Sequence, residues 1–130
     1  MNFTIMELVK SNIAKKNKID NTPDSQSLKY MLELIKYCLQ PIRDKLGKPM
    51  IITSGYRCKE LNKKVGGVPT SQHCKGQAVD FYVKDMSIQQ VVDFIKKSGV
   101  EFDQLINEYN EWVHISFVKG RNRKQVLKYG

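Results

Sequence analysis

The chain has only two histidines, and each stands near carboxylates. His73 lies in "TSQHCKGQAVD" (residues 70–80), where Asp80 follows seven positions later, behind Gly76 and Ala78. His114 lies in "NEWVHISF", with Glu111 three residues before it and Glu108 six before it. An aspartate in the middle of an apolar strand is costly unless it is paired or binds a metal. Two imidazoles and one carboxylate, with a fourth position open to water, make a zinc arrangement suited to hydrolysis. Zinc brings the pKa of its water towards neutrality, and a nearby glutamate can serve as base. On spacing alone, residues so far apart also fit separate structural roles, with Asp80 paired to a lysine and His73 exposed. Cys74 could ligate zinc too, but a residue next to a ligand in an extended loop points elsewhere, so it reads as a free thiol.

The elements around these residues decide whether they meet. "QAVDFYV" (77–83) reads as a strand, with Ala78, Asp80 and Tyr82 on one face and Val79, Phe81 and Val83 on the other. "FDQLINEY" and "WVHISFV" read as two more strands joined by a tight turn near Asn110. Trp112, His114 and Ser116 alternate with apolar neighbours and share a face. A three-residue turn at Tyr109, Asn110 and Glu111 places Glu108 opposite Trp112, on the face of His114. A two-residue turn at Asn110 and Glu111 turns Glu108 away. Glu111, in the turn itself, escapes strand alternation.

Upstream, Thr4 and Glu7 form a capping box that predicts a helix from Ile5 to about Asn17. Thr22 before Pro23 predicts the start of a second helix. Its apolar face runs through Leu28, Met31, Leu32, Ile35, Cys38, Leu39, Ile42 and Leu46. Pro41 should kink or break it, and Gly47 should end it. "PMIITS" (49–54) reads as a strand, "CKELNKKV" (58–65) as a short helix and "GGVPTSQHCKG" as a loop. Ser87 caps a helix that buries Val91, Val92 and Ile95. Helices followed by strands mixed with short helices indicate an α+β domain with a small, mainly antiparallel sheet.

With 130 residues, 41% of them hydrophobic, the chain fits one domain, 1–130, with a helical part at 1–48 and a core at 49–118. No apolar run is long enough to span a membrane, and the N-terminus does not read as a signal peptide. The three cysteines are too few and too widely spaced for a disulfide framework. A net charge of +9 suits an anionic partner: nucleic acid, a membrane face or a bacterial wall. No nucleic-acid motif or clustered basic helix supports the first of these.

"SGYRCKELNKKVGG", "TSQHCKGQAVDF" and "WVHISF" together resemble the zinc D-alanyl-D-alanine carboxypeptidase family, which includes vancomycin-resistance dipeptidases and phage endolysins. Its SxHxxGxAxD pattern is met by Ser71, His73, Gly76, Ala78 and Asp80, and its acid-x-x-His pattern by Glu111 to His114. The resemblance covers about residues 49 to 118. It implies a Hedgehog/DD-peptidase-like fold with the N-terminal helices packed on the sheet. It implies Zn²⁺ held by His73, Asp80 and His114, and substrate bound by Arg57, Ser71 and Trp112, with Arg57 also catalytic. It selects Glu111 as the base, with Glu108 the alternative that hairpin geometry offers. The implied activity is hydrolysis of peptidoglycan stem peptides, at D-Ala-D-Ala or at an internal bond such as L-Ala-D-Glu. A monomer made in a cytoplasm and released to the wall, as in phage or prophage lysis, fits that activity. The rival readings are a catalytically silent zinc-containing wall-binding module and, behind it, a nucleic-acid-binding domain.

Overall fold

The structure is a computed structural model and describes residues 2–130. Short polar caps set the N-terminal helices. Thr4 and Glu7 cap each other at the start of α1 (Ile5–Val9). The expected single helix to Asn17 stops at Lys10, which is extended (ψ 131°), and Ser11 caps a second helix, α2 (Asn12–Lys16). The break frees two carbonyls for tertiary use. Leu8 O accepts from Tyr56 N at 2.7 Å, and Val9 O accepts from the Asn21 amide at 2.9 Å.

Asp24, not Thr22, caps α3 (Ser25–Leu34), accepting from Ser27 N at 2.7 Å. The Thr22 hydroxyl is engaged by Asp20 instead, so Pro23 precedes the helix rather than opening it. Pro41 neither breaks the helix nor ends it. A π-turn over Ile35–Leu39 leads into α4 (Gln40–Leu46), with Gln40 N–H reaching five residues back to Ile35 O. The wider turn absorbs the proline's missing N–H and its bulky ring. Gly47, in the left-handed region at φ 70°, closes the helix as expected.

Met31, Leu34, Ile35, Cys38, Leu39 and Ile42 form the buried stripe. Leu34 takes the place expected for Leu32, which is 52% exposed. Burial pushes the Cys38 thiol well above its ordinary range, so it is an inert part of the core.

Among the described residues, five strands form one sheet in the order β1-β2-β4-β3-β5: β1 (Ile51–Ser54), β2 (Ala78–Tyr82), β3 (Gln104–Glu108), β4 (Trp112–Ser116) and β5 (Gln125–Tyr129). All neighbours are antiparallel except β3 and β5, so the fold is α+β with a mainly antiparallel sheet. The sequence pattern did not reveal β5, an edge strand whose residues are mostly exposed. Between these strands lie α5 (Lys59–Lys64) and α6 (Ile88–Ser98), the latter opened by a Ser87–Gln90 capping box.

Alternation divides the sheet. Val79, Phe81, Leu105, Val113 and Ile115 face the core with Val91, Val92 and Ile95 of α6 and the stripe of α3 and α4. The opposite face is left for Asp80, His114 and Glu108. No helix among the described residues is long and apolar enough to cross a membrane.

Candidate metal centre

Register brings the first two residues together. Asp80 on β2 is the direct cross-strand partner of His114 on β4, and His114 Nδ1 lies 3.0 Å from Asp80 Oδ1. His73 arrives from a single 3-10 turn, Gln72–Lys75. The Ser71 hydroxyl caps that turn by accepting from His73 N at 3.2 Å. Gly76 ends it at φ 76°, where the backbone turns sharply into β2. A side chain at Gly76 would also strike the Ser27 carbonyl of α3. His73 Nε2 thereby comes within 3.3 Å of the same Asp80 oxygen.

The tautomer of His73 follows from its second contact. Nδ1 lies 2.8 Å from the Gly55 carbonyl, which can only accept, so Nδ1 carries the hydrogen. Nε2 then presents a lone pair to the Asp80 carboxylate. Two acceptors at that distance require a proton or a cation between them. One potential ligand atom from each of His73, Asp80 and His114 lies within 4.8 Å of the others. Tetrahedral zinc bonds of about 2.0–2.1 Å place ligand atoms roughly 3.3 Å apart, so this two-nitrogen, one-oxygen set fits zinc. Burial pushes the Asp80 carboxyl up, but hydrogen bonds and charge from His114 and His73 outweigh it and hold the group well below the usual carboxylate range.

The three side chains sit in a cleft of about 790 Å³, whose walls also include Arg57, Ser71, Tyr109, Trp112 and Tyr129. The hairpin uses the three-residue turn. Glu108 pairs with Trp112, and Tyr109 and Asn110 both adopt left-handed backbone (φ 60° and 55°). Buried Asn107 secures that turn through hydrogen bonds to Asn110 N and to its side chain. Glu108 therefore lines the cleft, half-buried. Burial and the Asp80 charge raise its carboxyl, against a partial pull from His114, His73 and Arg57. Glu111, which the acid-x-x-His spacing selects, is exposed in the turn and is not part of the cleft wall. Ala78 is fully buried opposite Ser116 and does not line the cleft. Cys74 is a half-buried free thiol outside the three-residue cluster.

Arg57 is fixed through its backbone. Its N–H donates to His73 O at 3.0 Å. Asn21, a buried loop residue that sequence reading passed over, brackets it by donating to Tyr56 O at 3.0 Å and accepting from Cys58 N at 2.8 Å. The guanidinium reaches Ser71 Oγ at 3.4 Å, and its buried Nε has no partner among the described residues. Trp112 Nε1 is likewise buried and unpartnered. Asn21→Ala removes three hydrogen bonds and strands three backbone groups. A loss of about 2–3 kcal/mol is expected, measurable by denaturant unfolding. A variant as stable as the parent would show that Asn21 is dispensable to this arrangement.

Asp103 is a second residue that the sequence did not single out. Its carboxylate accepts from Arg123 N, Nε and Nη2 at 2.8–3.0 Å and from Gln72 Nε2 at 2.9 Å. It ties the segment before β5 to the turn that carries His73. Hydrogen bonding to Arg123, against the cost of burial, holds its carboxyl at about 2. The folded value is below the unfolded one, so the stabilisation is complete above about pH 4 and is lost as pH falls towards 2. Asp103→Asn should flatten the acid limb of a plot of Tm against pH. An unchanged acid limb would remove Asp103 from the account.

No curated protein matches the chain. The family profile described as Peptidase M15 matches residues 1–116, covering the N-terminal helices, the turn that carries His73 and the strands that carry Asp80 and His114. By that match over most of its length, the chain belongs to the Peptidase M15 family of metallopeptidases.

Proposed function

We propose that residues 1–130 act as one domain, a zinc-dependent peptidase that cleaves peptide bonds in bacterial peptidoglycan. The observation that carries this reading is the convergence of His73, Asp80 and His114 beside Glu108 and Arg57 in one cleft. Two imidazole nitrogens and one carboxylate would hold Zn²⁺ and leave a position open. When bound, zinc acidifies water and polarises a carbonyl.

The chain's own residues do the rest. Glu108 accepts the proton of the attacking water and passes it to the leaving amine. Its half-buried position keeps its basicity above that of an exposed glutamate. Arg57, with its unpartnered Nε, binds the oxygen under attack or a substrate carboxylate. Ser71 holds the Arg57 guanidinium and caps the His73 turn at once. Trp112 forms the wall against which the peptide lies. Glu111, exposed in the hairpin turn outside the cleft wall, takes no part in proton transfer.

The substrate bond is D-Ala-D-Ala or an internal bond such as L-Ala-D-Glu. Release to the wall in phage or prophage lysis suits both. Digestion of peptidoglycan fragments with and without a chelator, with products identified by mass, tests the reading. Chelator-sensitive D-Ala release marks a carboxypeptidase, and chelator-sensitive internal cleavage marks an endopeptidase. No product from any wall type would leave the silent wall-binding module as the better account.

A further inference from the structure

A second groove, of about 730 Å³, runs between α3 and the segment after β4. Gln72 and Arg123 line both this groove and the metal cleft, so the two cavities adjoin beside His73. Five cations line it: Lys29, Lys75, Lys119, Arg121 and Arg123. Only two carboxylates oppose them, Glu33 and Asp103, and Asp103 is already engaged by the Arg123 guanidinium. Lys29, Lys75, Lys119 and Arg121 form no ion pair among the described residues. The ammonium of Lys119 rests 5.3 Å from the centre of the Tyr37 ring, which holds it without neutralising it. Cations gathered in a concave wall repel one another and concentrate the field that attracts an anion.

We propose that this groove is a substrate subsite that binds the carboxylates of an acidic peptide whose scissile bond lies in the metal cleft. It rests on the peptidase reading above and adds a substrate preference to it. The cavities share Gln72 and Arg123, so one extended chain passing over these two side chains reaches both. Arg121 presents a planar fork of donors that matches a carboxylate. The lysine ammonium groups add charge attraction that weakens with salt. Peptides with a free carboxylate beside the cleaved bond are therefore preferred over their amidated forms.

The test compares a stem peptide bearing a free glutamyl carboxylate with the same peptide amidated at that group. Hydrolysis by the zinc-loaded protein and equilibrium binding by calorimetry are measured in parallel. The free acid should have the higher kcat/KM, through KM, and salt should erode the difference. Lys119→Ala/Arg121→Ala should remove most of the preference, roughly fivefold, while leaving the rate on the amidated peptide unchanged. Hydrolysis without charge preference, or equal loss on both peptides, overturns the subsite. Charge-selective binding without hydrolysis upholds the groove and overturns the peptidase reading. Absence of both hydrolysis and binding overturns both. Soluble polyglutamate serves as the last probe. If it competes for wall binding while the two peptides behave alike, the groove holds a separate anionic chain and the subsite proposal fails.

Discussion

Glu108→Gln is expected to lower kcat on peptidoglycan fragments about 10²- to 10⁴-fold, the range for loss of a general acid–base. KM and zinc content should stay close to those of the parent. Glutamine keeps the size and hydrogen-bonding reach of the side chain but cannot accept the proton. Glu111→Gln, purified and assayed beside it, should keep nearly full activity, because Glu111 is exposed in the hairpin turn outside the cleft wall. The pair is decisive because the two glutamates lie three residues apart on one hairpin. A dead Glu111→Gln with an active Glu108→Gln would reverse the assignment and require the turn to rearrange when substrate binds.

Asp80→Ala should be the most damaging change to the metal centre. Asp80 Oδ1 lies within hydrogen-bonding range of both imidazoles, 3.0 Å from His114 and 3.3 Å from His73. Removing it takes away the only oxygen of the set and the negative charge that offsets a dication. The parent should gain stability from zinc by mass action, about 2.7 kcal/mol at a hundred times Kd. That corresponds to a rise in Tm of roughly 8 °C for a chain of this size. Asp80→Ala should show no such rise and only background hydrolysis, while its metal-free form still unfolds cooperatively. Retention of the zinc-dependent shift in Asp80→Ala would sink the three-residue site.

Local chemistry singled out Asp80 and His114 as candidates, and the family resemblance joined them with His73 into one set. Asp80 stands mid-strand among Ala78, Val79 and Phe81, and His114 alternates with Val113 and Ile115, so each points away from the apolar side of its own strand. Period-two alternation sets that face within a strand, independently of the rest of the fold. The capping box at Thr4, the cap at Ser87 and the helix stop at Gly47 were equally local, so they too could be read directly. Where the reading went astray, long-range contacts had overridden local preference. The first helix broke at Lys10, where Leu8 and Val9 give their carbonyls to Tyr56 and Asn21. Thr22, by contrast, lost its cap role to a local contact, its hydroxyl donating to Asp20 two residues back, and Asp24 caps the helix instead. Strand β5 has little apolar alternation of its own and depends on its pairing with β3.

The sequence by itself determined the donor types, the strand faces of Asp80 and His114, and the sharp glycine turn that follows His73. It left the hairpin with two possible loop lengths, and so two possible positions for Glu108. The tertiary structure decided that question through the left-handed Tyr109–Asn110 turn, which Asn107 holds. It also set the tautomer of His73, because the Gly55 carbonyl that accepts from Nδ1 comes from a segment eighteen residues away. It placed Asn21 and Asp103 behind Arg57 and Gln72, and set the basic groove beside the cleft. Local periodicity fixes which way a side chain faces, but register, tautomer and supporting contacts depend on residues brought together only when the chain folds.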